Sequence, residues 1–292
     1  MSVSKKDLTK LNNFVFNIYE KYIIGINQYL EDIKTNPKKN RLQFISNFIN
    51  SMILKIIDYA NETQIIKKIT LPDNDISINK TSKYNYIIKI IDSIDNIENC
   101  NEFGSIFSIL DDKNNVVMAG CLKYSYLNEL VISKKKTTEL YYFYNNEFKK
   151  IKNIKIPNLG KTYIVNESKQ KIWKDYHFHQ FLEKIKSTHQ LIYNRSLVTN
   201  FLHIITKGGV LLYPADLENP NGYVEFVFEA VPMAFIMNNC GGITKDSKKN
   251  ILDIPYPITK KKLKQKTNFI TGGTTELSVF NDVINPSLVF FD

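Results

Sequence analysis

Residues 208–242 read GGVLLYPADLENPNGYVEFVFEAVPMAFIMNNCGG, and the reading of this stretch decides the fold. Gly208 and Gly209 open the short apolar run Val210, Leu211, Leu212, Tyr213, which has the length and composition of a strand. Asn219-Pro220-Asn221-Gly222 is a tight-turn sequence. The run from Tyr223 to Phe228 reads as a second strand. Residues 232–239 read as a helix, with Pro232 in the first turn, where its missing N–H is tolerated, and Gly241-Gly242 as the stop. Glu229 falls between that strand and that helix. A carboxylate there costs free energy unless it is paired, hydrogen-bonded or bound to a cation, so it reads as a helix-start anion, a structural ion pair or a metal ligand.

Upstream, the apolar residues keep two different periods. Leu11, Phe14, Ile18 and Tyr22 share one stripe of an amphipathic helix, and Leu42, Ile45, Ile49 and Ile53 repeat the pattern over residues 41–59. A polar, proline-marked loop, residues 36–40, separates the two, and the Asn/Asp/Ser-rich residues 72–83 read as another loop. From Tyr86 the period shortens. Residues 86–91 are almost continuously apolar and β-branched, as in a strand covered on both faces. Strands at meander spacing follow over residues 105–110, 116–124, 129–133 and 140–144, with a hairpin turn at 111–115. Helices are expected over 174–188 and 195–206. Helices first, a strand-rich middle and then alternating elements imply α/β (α+β) layering in two packed sub-regions, residues 1–160 and 161–292.

With 292 residues, 43% of them hydrophobic and 12% aromatic, the chain can bury a sizeable core, which excludes global disorder. No apolar run approaches the ~20 residues of a membrane-spanning helix, and residues 1–10 lack the apolar stretch of a secretory signal. Three widely spaced cysteines, Cys100, Cys121 and Cys240, fit free thiols in a reducing compartment, so a cytoplasmic protein is expected. The net charge of +10 comes mostly from lysine in a chain also rich in Asn and Ile, the bias of an AT-rich genome. The runs 134–136 and 260–266 lack the aromatic interleaving or zinc spacing of a nucleic-acid module, so neither nucleic acid nor membrane is an expected partner.

The order Gly208-Gly209, Leu212-Tyr213-Pro214-Ala215, Pro220-Asn221-Gly222, Phe228-Glu229, Pro232-Met233-Ala234 and Gly241-Gly242 resembles class I fructose-1,6-bisphosphatase, which carries the same series at the same spacing. Weaker similarity runs from about residue 40 to residue 284. It includes Leu42 to Asn47, Gly104-Ser105-Ile106-Phe107, Val165-Asn166-Glu167, Tyr193 and Ile270 to Gly273. The resemblance implies a sugar-phosphatase fold of the fructose-1,6-bisphosphatase and inositol monophosphatase type. It also implies Mg²⁺-dependent removal of the 1-phosphate of fructose 1,6-bisphosphate, by carboxylates around hard cations. It places metal ligands at Asp92, Asp95 and Glu229, and contacts to the phosphate at the far end of the sugar at Asn166, Lys169, Tyr193 and Tyr213. Relatives of this class are typically homotetramers, which implies a homo-oligomer or a subunit of a larger assembly.

Several working parts of that family are changed. Its Asp-Pro-Leu-Asp-Gly-Ser-Ser-Asn signature is Asp92-Ser93-Ile94-Asp95-Asn96-Ile97-Glu98 here, with both aspartates kept and the Gly-Ser-Ser missing. Its acids on the second helix correspond to Gln43 and Phe48. Its Glu-Glu-Asp motif should fall near residues 71–75, where the chain offers only Asp73 and Asp75. The arginine before Tyr193 is Ile192, and the lysine after Asn221-Gly222 is Tyr223; Arg195 stands nearby in sequence. A phenyl ring neither binds a cation nor accepts a proton, and lost charge-assisted bonds contribute roughly 1.5–3 kcal/mol each. No residue stands out as catalytic. The four histidines, His177, His179, His189 and His203, form no catalytic arrangement. The expected function is a fructose-1,6-bisphosphatase-like protein with hydrolysis impaired or lost. The alternative is a pseudoenzyme that binds a phosphorylated sugar as a regulator, or serves as a structural subunit.

Overall fold

The computed structural model describes residues 3–35, 41–98, 101–255, 259 and 263–285. The loop expected at 36–40, Cys100 and the lysines at 260–262 lie outside the described residues. The chain divides into two compact units. The first comprises Met1–Lys134, Glu139–Lys152 and Ser196–Val198, and the second Lys135–Thr138, Asn153–Arg195 and Thr199–Asp292.

The first unit opens with helices α1 (Lys5–Thr35) and α2 (Arg41–Thr63). Leu11, Phe14, Ile18 and Tyr22 are each 0% exposed, so the 3.6-residue period marks the buried face of α1. A sheet follows in the order β2-β1-β3-β4-β5-β6-β7-β8. Its strands are β1 (Ile66–Thr70), β2 (Asp75–Ser77), β3 (Tyr84–Lys89), β4 (Phe103–Leu110), β5 (Val116–Tyr124), β6 (Glu129–Lys134), β7 (Thr137–Tyr144) and β8 (Glu147–Asn153), with the short helix α3 (Ile94–Glu98) after β3. β1 is parallel to β3, and β3 to β6 form an antiparallel meander. Tyr86, Ile87 and Ile88 are buried in succession, so β3 is covered on both faces, as its unbroken apolar run requires. The β4–β5 hairpin closes as an Asx turn: Asp111 Oδ1 accepts the amides of Lys113 (2.9 Å) and Asn115 (2.8 Å).

Part of this departs from expectation. Residues 72–83 are not loop throughout, because β2 lies within them and pairs antiparallel with β1. Asp75-Ile76-Ser77 has little strand propensity of its own, and its pairing with Lys68, Ile69 and Thr70 is a long-range choice that a local reading misses.

Two tyrosines of α1 reach strands across the core. Tyr22 Oη donates to the Ile90 carbonyl at 2.6 Å. Tyr19 Oη lies 3.0 Å from Ser105 Oγ, which itself donates to the Lys89 carbonyl at 3.1 Å. Burial pushes both phenols above their ordinary range, so they stay protonated donors.

The second unit holds a sheet in the order β10-β9-β11-β15-β13. Its strands are β9 (Thr162–Ile164), β10 (Gln190–Leu191), β11 (Val210–Tyr213), β13 (Ile243–Lys245) and β15 (Phe269–Gly272); β12 (Val224–Glu225) and β14 (Lys266–Thr267) pair separately. β10, β9 and β11 run parallel, whereas β15 is antiparallel to β11 and β13. Helices α4 (Tyr176–Ile185) and α7 (Thr274–Ile284) bring Phe178, Phe181, Leu182, Leu277 and Phe280 onto Tyr163, Val210, Leu212 and Ile270. Each such side chain stabilises by about 1.5–3 kcal/mol when buried. α4 is shorter than the 174–188 expected because Asp175 caps it, accepting the His177 amide at 3.0 Å. Helix α5 is Leu197–Lys207, and a 3₁₀ turn, Glu167–Ile172, follows β9.

The expected strand over 223–228 is cut short. β12 ends at Glu225, and Phe226–Ala230 form a π-helical turn that runs straight into α6 (Val231–Asn239). All five residues of that turn are buried, so their apolar run carries no alternation, and periodicity cannot tell strand from buried helix. α6 does stop at Gly241-Gly242. Gly241 takes φ 90°, and the Gly242 amide donates to the Met237 carbonyl at 3.0 Å, as in a Schellman cap.

Candidate functional site

In the first unit the candidate residues gather after β3. Asp92 is clipped to the start of β4: its amide donates to the Gly104 carbonyl at 2.9 Å, and its Oδ1 accepts the Gly104 amide at 2.6 Å. Its Oδ2 accepts from Ser196 Oγ at 2.7 Å and from the Val198 amide at 3.0 Å, so Asp92 satisfies donors at the start of α5. Gly104 must be glycine here, because a Cβ would sit 2.4 Å from the Val198 side chain. Burial pushes the Asp92 carboxyl above its ordinary range, opposed by those three donors and by Lys89. Asp95 lies exposed in the first turn of α3. Asn96 closes the chain behind it, donating to the Glu102 carbonyl at 2.5 Å and accepting the Asn101 amide on its own carbonyl at 2.8 Å.

The positions of the lost acids have other roles. Phe48 is buried and packs edge-on against Tyr22 with ring centroids 4.9 Å apart. Gln43 is exposed and donates to Asn47 Oδ1 at 3.2 Å. Asp75 pairs with Lys68 at 3.2 Å, and Asp73 is exposed. A cleft of about 640 Å³ in this unit is walled by Phe48, Ile97, Phe103 and Tyr124, with Glu102 as an acid on its lining.

In the second unit, Asn166, Tyr193 and Tyr213 stand at the C-terminal ends of β9, β10 and β11. These are three neighbouring parallel strands, and that end of a parallel sheet is where α/β folds bind ligands. Asn166 caps the 3₁₀ turn, its Oδ1 accepting from the Ser168 amide at 3.2 Å and from Ser168 Oγ at 2.6 Å. Buried Asn200 joins the other two strand ends. It donates to Tyr213 Oη at 3.1 Å and to the Asn194 carbonyl at 2.7 Å, and accepts the Asn194 amide at 3.1 Å. Tyr193 is 45% exposed; burial of the rest of its ring raises its pKa, against the opposing charge of Arg195. Lys169 Nζ bonds Glu218 Oε2 at 2.6 Å.

Asp216, 0% exposed, accepts the Asn219 amide at 2.7 Å and the Tyr223 hydroxyl. Burial would raise its pKa, but those donors outweigh it and hold the carboxyl below its ordinary range, while burial and Asp216 push Tyr223 up to about 12. Glu229, 5% exposed, lies inside the π turn and reaches back to accept the Glu225 amide at 2.7 Å, in the manner of a capping box.

The C-terminal domain family of fructose-1-6-bisphosphatase matches residues 156–285. A class 1 fructose-1,6-bisphosphatase of Campylobacter concisus is 31% identical over 217 residues, covering 72% of this chain and 74% of the relative. The chain belongs to the class 1 fructose-1,6-bisphosphatase family. A second class 1 relative, from Sulfurihydrogenibium, is 27% identical over 246 residues, with 76% and 73% covered. The crystal structure of Leishmania major fructose-1,6-bisphosphatase in its holo form superposes with a TM-score of 0.82 at 20% identity, over 98% of this chain and 96% of that one. The fold is therefore the α/β layered fold of fructose-1,6-bisphosphatase.

Membership of this family raises the question of a divalent cation. Among the described residues, no group of three or more His, Cys, Asp or Glu side chains is placed to hold a metal ion. Both Asp92 oxygens are taken up by protein donors, and Glu229 serves the backbone of its own turn. As placed, these carboxylates do not fit a cation cage, and no hydrolytic step is assigned to one. The family's signature pointed to Asp92, but its partners Gly104, Ser196 and Val198 are far apart in sequence and carry no local signal. Asp216 and Glu218 were legible only as acids directly after a strand end.

The two histidines of α4 have local partners. His177 Nδ1 lies 2.8 Å from Asp175 Oδ1, and the His179 ring tilts against Trp173 at 5.2 Å. Cys121 and Cys240 are buried and form no disulfide, and burial pushes the Cys240 thiol up to about 11, which makes it a poor nucleophile.

Proposed function

We propose that this chain is a fructose-1,6-bisphosphatase-like protein that keeps a sugar-binding strand end and has impaired or lost phosphatase activity. The observation that carries the reading is the commitment of Asp92 to three protein donors, together with amide and phenyl groups at positions 43 and 48. In the family reaction, cations polarise the phosphoryl group and generate the attacking water. That chemistry needs carboxylates free to bind them, and here Asp92 and Glu229 serve protein donors.

The second unit retains groups suited to a sugar. The hydroxyls of Tyr193 and Tyr213 and the amide of Asn166 can donate to and accept from hydroxyls at the strand ends. Asp92, Asp95 and Glu229 remain the positions at which a metal would be sought, and Asn166, Lys169, Tyr193 and Tyr213 those of substrate contact. In this reading the protein works in the cytoplasm, as a homo-oligomer or as a subunit of a larger assembly. No described helix is long and apolar enough to cross a membrane. A relative from Pisum sativum named as a cytosolic fructose-1,6-bisphosphatase is 39% identical over 108 residues, 35% of this chain and 31% of its own length.

The competing reading is an active Mg²⁺-dependent bisphosphatase, favoured by the retention of Asp92, Asp95 and Glu229. Phosphate release from fructose 1,6-bisphosphate, with Mg²⁺ or Mn²⁺, separates the two. The expected rate for the native chain equals that of Asp95→Asn. Turnover that Asp95→Asn abolishes would establish the enzyme.

A further inference from the structure

We infer that the second unit binds a monovalent alkali cation beside the start of α7, in a cradle of acceptor oxygens with one carboxylate, Glu276. The inference is independent of the sugar-binding reading and of the phosphatase question. Glu276 stands in the first turn of α7 and is 1% exposed. Its Oε1 accepts the Gly160 amide at 2.7 Å, and His189 Nε2 approaches the same oxygen at 3.5 Å, the far end of hydrogen-bonding range. Its Oε2 is buried and receives no hydrogen bond among the described residues. A carboxylate oxygen withdrawn from water without a donor is costly, so this one calls for a compensating charge.

What faces Oε2 points the same way. The position that a Cβ on Gly273 would take lies 2.5 Å from Oε2, 3.2 Å from the Pro157 carbonyl oxygen and 3.3 Å from the Asn158 carbonyl oxygen. Three oxygens thus gather around one small space, which is open because residue 273 carries no side chain. Among the described residues, neither the Pro157 nor the Asn158 carbonyl receives a backbone hydrogen bond. Carboxylate and carbonyl oxygens only accept, so they repel one another until a cation or a donor comes between them.

The ligand set selects the ion. Oxygen ligands suit a hard cation, and one carboxylate balances one positive charge, whereas Ca²⁺ sites usually gather more acidic ligands. The positive end of the α7 dipole opposes a cation, but it is only a partial charge, smaller than that of the carboxylate in contact with the ion. Asn158 is exposed, so water reaches the carbonyl side, where an ion can enter and complete its shell. Only one ligand is an acid, which is why no cluster of acidic side chains marks the place. An ion here fastens residues 157–160, which lead into β9, to the turn that starts α7, where the Gly273 amide donates to the Gly209 carbonyl at 3.2 Å.

The test is urea unfolding of the whole chain in the chlorides of potassium, sodium, calcium and tetramethylammonium, all at one ionic strength. Potassium or sodium is expected to raise the unfolding midpoint, and tetramethylammonium, too bulky for the cradle, is not. Above the dissociation constant, each tenfold rise in the alkali ion should multiply the folded-to-unfolded ratio about tenfold. Gly273→Ala puts a methyl group into the cradle at backbone angles, φ −65° and ψ 160°, that alanine adopts readily. Glu276→Gln removes the charge and keeps an acceptor for the Gly160 amide. Both variants are expected to lose the alkali response, and if Glu276→Gln does not fold, Gly273→Ala decides. Sodium-23 NMR reads binding directly: the line should be broader with the native chain than with Gly273→Ala, and should sharpen as potassium is added.

Equal midpoints in potassium, sodium and tetramethylammonium would overturn the inference and leave a bound water as the donor to Oε2. An alkali response unchanged in Gly273→Ala would place the ion elsewhere, and a response to calcium alone would put a divalent ion in the cradle. Either result overturns the proposal.

Discussion

At position 48 a phenyl ring, 8% exposed, packs into the core that α1 and α2 share, edge-on to Tyr22. The residue that erases an acid has thus become part of what holds the first unit together. Restoring the acid should not restore a site. Phe48→Asp would bury an unpaired carboxylate and remove an aromatic contact, a loss of about 3–5 kcal/mol by the usual cost of such changes. Urea unfolding measures it, and a loss below about 1 kcal/mol would mean that position 48 opens to water. At this scale the candidate site was legible where a motif names the residue, as for Asp92, and illegible where bonding decides its role. The sequence shows an aspartate after a strand; only the fold shows that its two oxygens are spent on Gly104, Ser196 and Val198. Asp216 and Glu218 belong to no motif, and only the fold shows their bonds to Tyr223 and Lys169.

Elements were legible in proportion to their length and period. α1 keeps its stripe over many turns, and β3 to β7 announce themselves by spacing and β-branched runs. By contrast, β9 and β13 have three residues each and owe their state to their neighbours in the sheet. β8, Glu147–Asn153, carries no strand signal because most of its residues are exposed and Phe148 and Ile151, three apart, break the two-residue period. It is an edge strand, where charged side chains are expected and an ion pair can tie the strand to its neighbours. One carboxylate does that here. Glu139 on β7 accepts from Lys134 on β6 at 3.0 Å, from Lys150 on β8 at 2.5 Å and from Tyr141 Oη at 2.8 Å.

The pH dependence of that cluster follows. Burial raises the Glu139 pKa, but Lys150, Lys134 and Tyr141 together bring it from 4.5 down to about 2. A depressed carboxylate stabilises the fold above its unfolded pKa, and the gain disappears as pH falls through the folded value. The full shift would correspond to about 3 kcal/mol at ~1.36 kcal/mol per pKa unit, and screening at the half-exposed Lys150 reduces it to about 1–2 kcal/mol. Glu139→Gln should therefore destabilise the protein at pH 7 and become indistinguishable from the native chain near pH 2. Chemical unfolding across pH 2–7 reads the difference, and a pH-independent gap would assign the effect to packing.

For the molecule as a whole, charge is where composition and structure could have parted. A net charge of +10 invites nucleic acid as a partner, and a basic stripe on one face would support it. Several described lysines are instead met locally by acids: Lys68 by Asp75, Lys123 by Glu129, Lys134 and Lys150 by Glu139, Lys169 by Glu218 and Lys186 by Glu167. These pairs lie on different elements of both units, so the paired lysines form no single stripe. Binding that depends on phosphate neutralisation weakens as the power of salt concentration set by the number of contacts, and scattered lysines cannot make many contacts at once. Fluorescence anisotropy with a labelled duplex and a single strand should show weak association at low salt that vanishes near 0.15 M. Micromolar binding retained at that ionic strength, with a steep salt slope, would require a basic surface and would return nucleic acid to consideration.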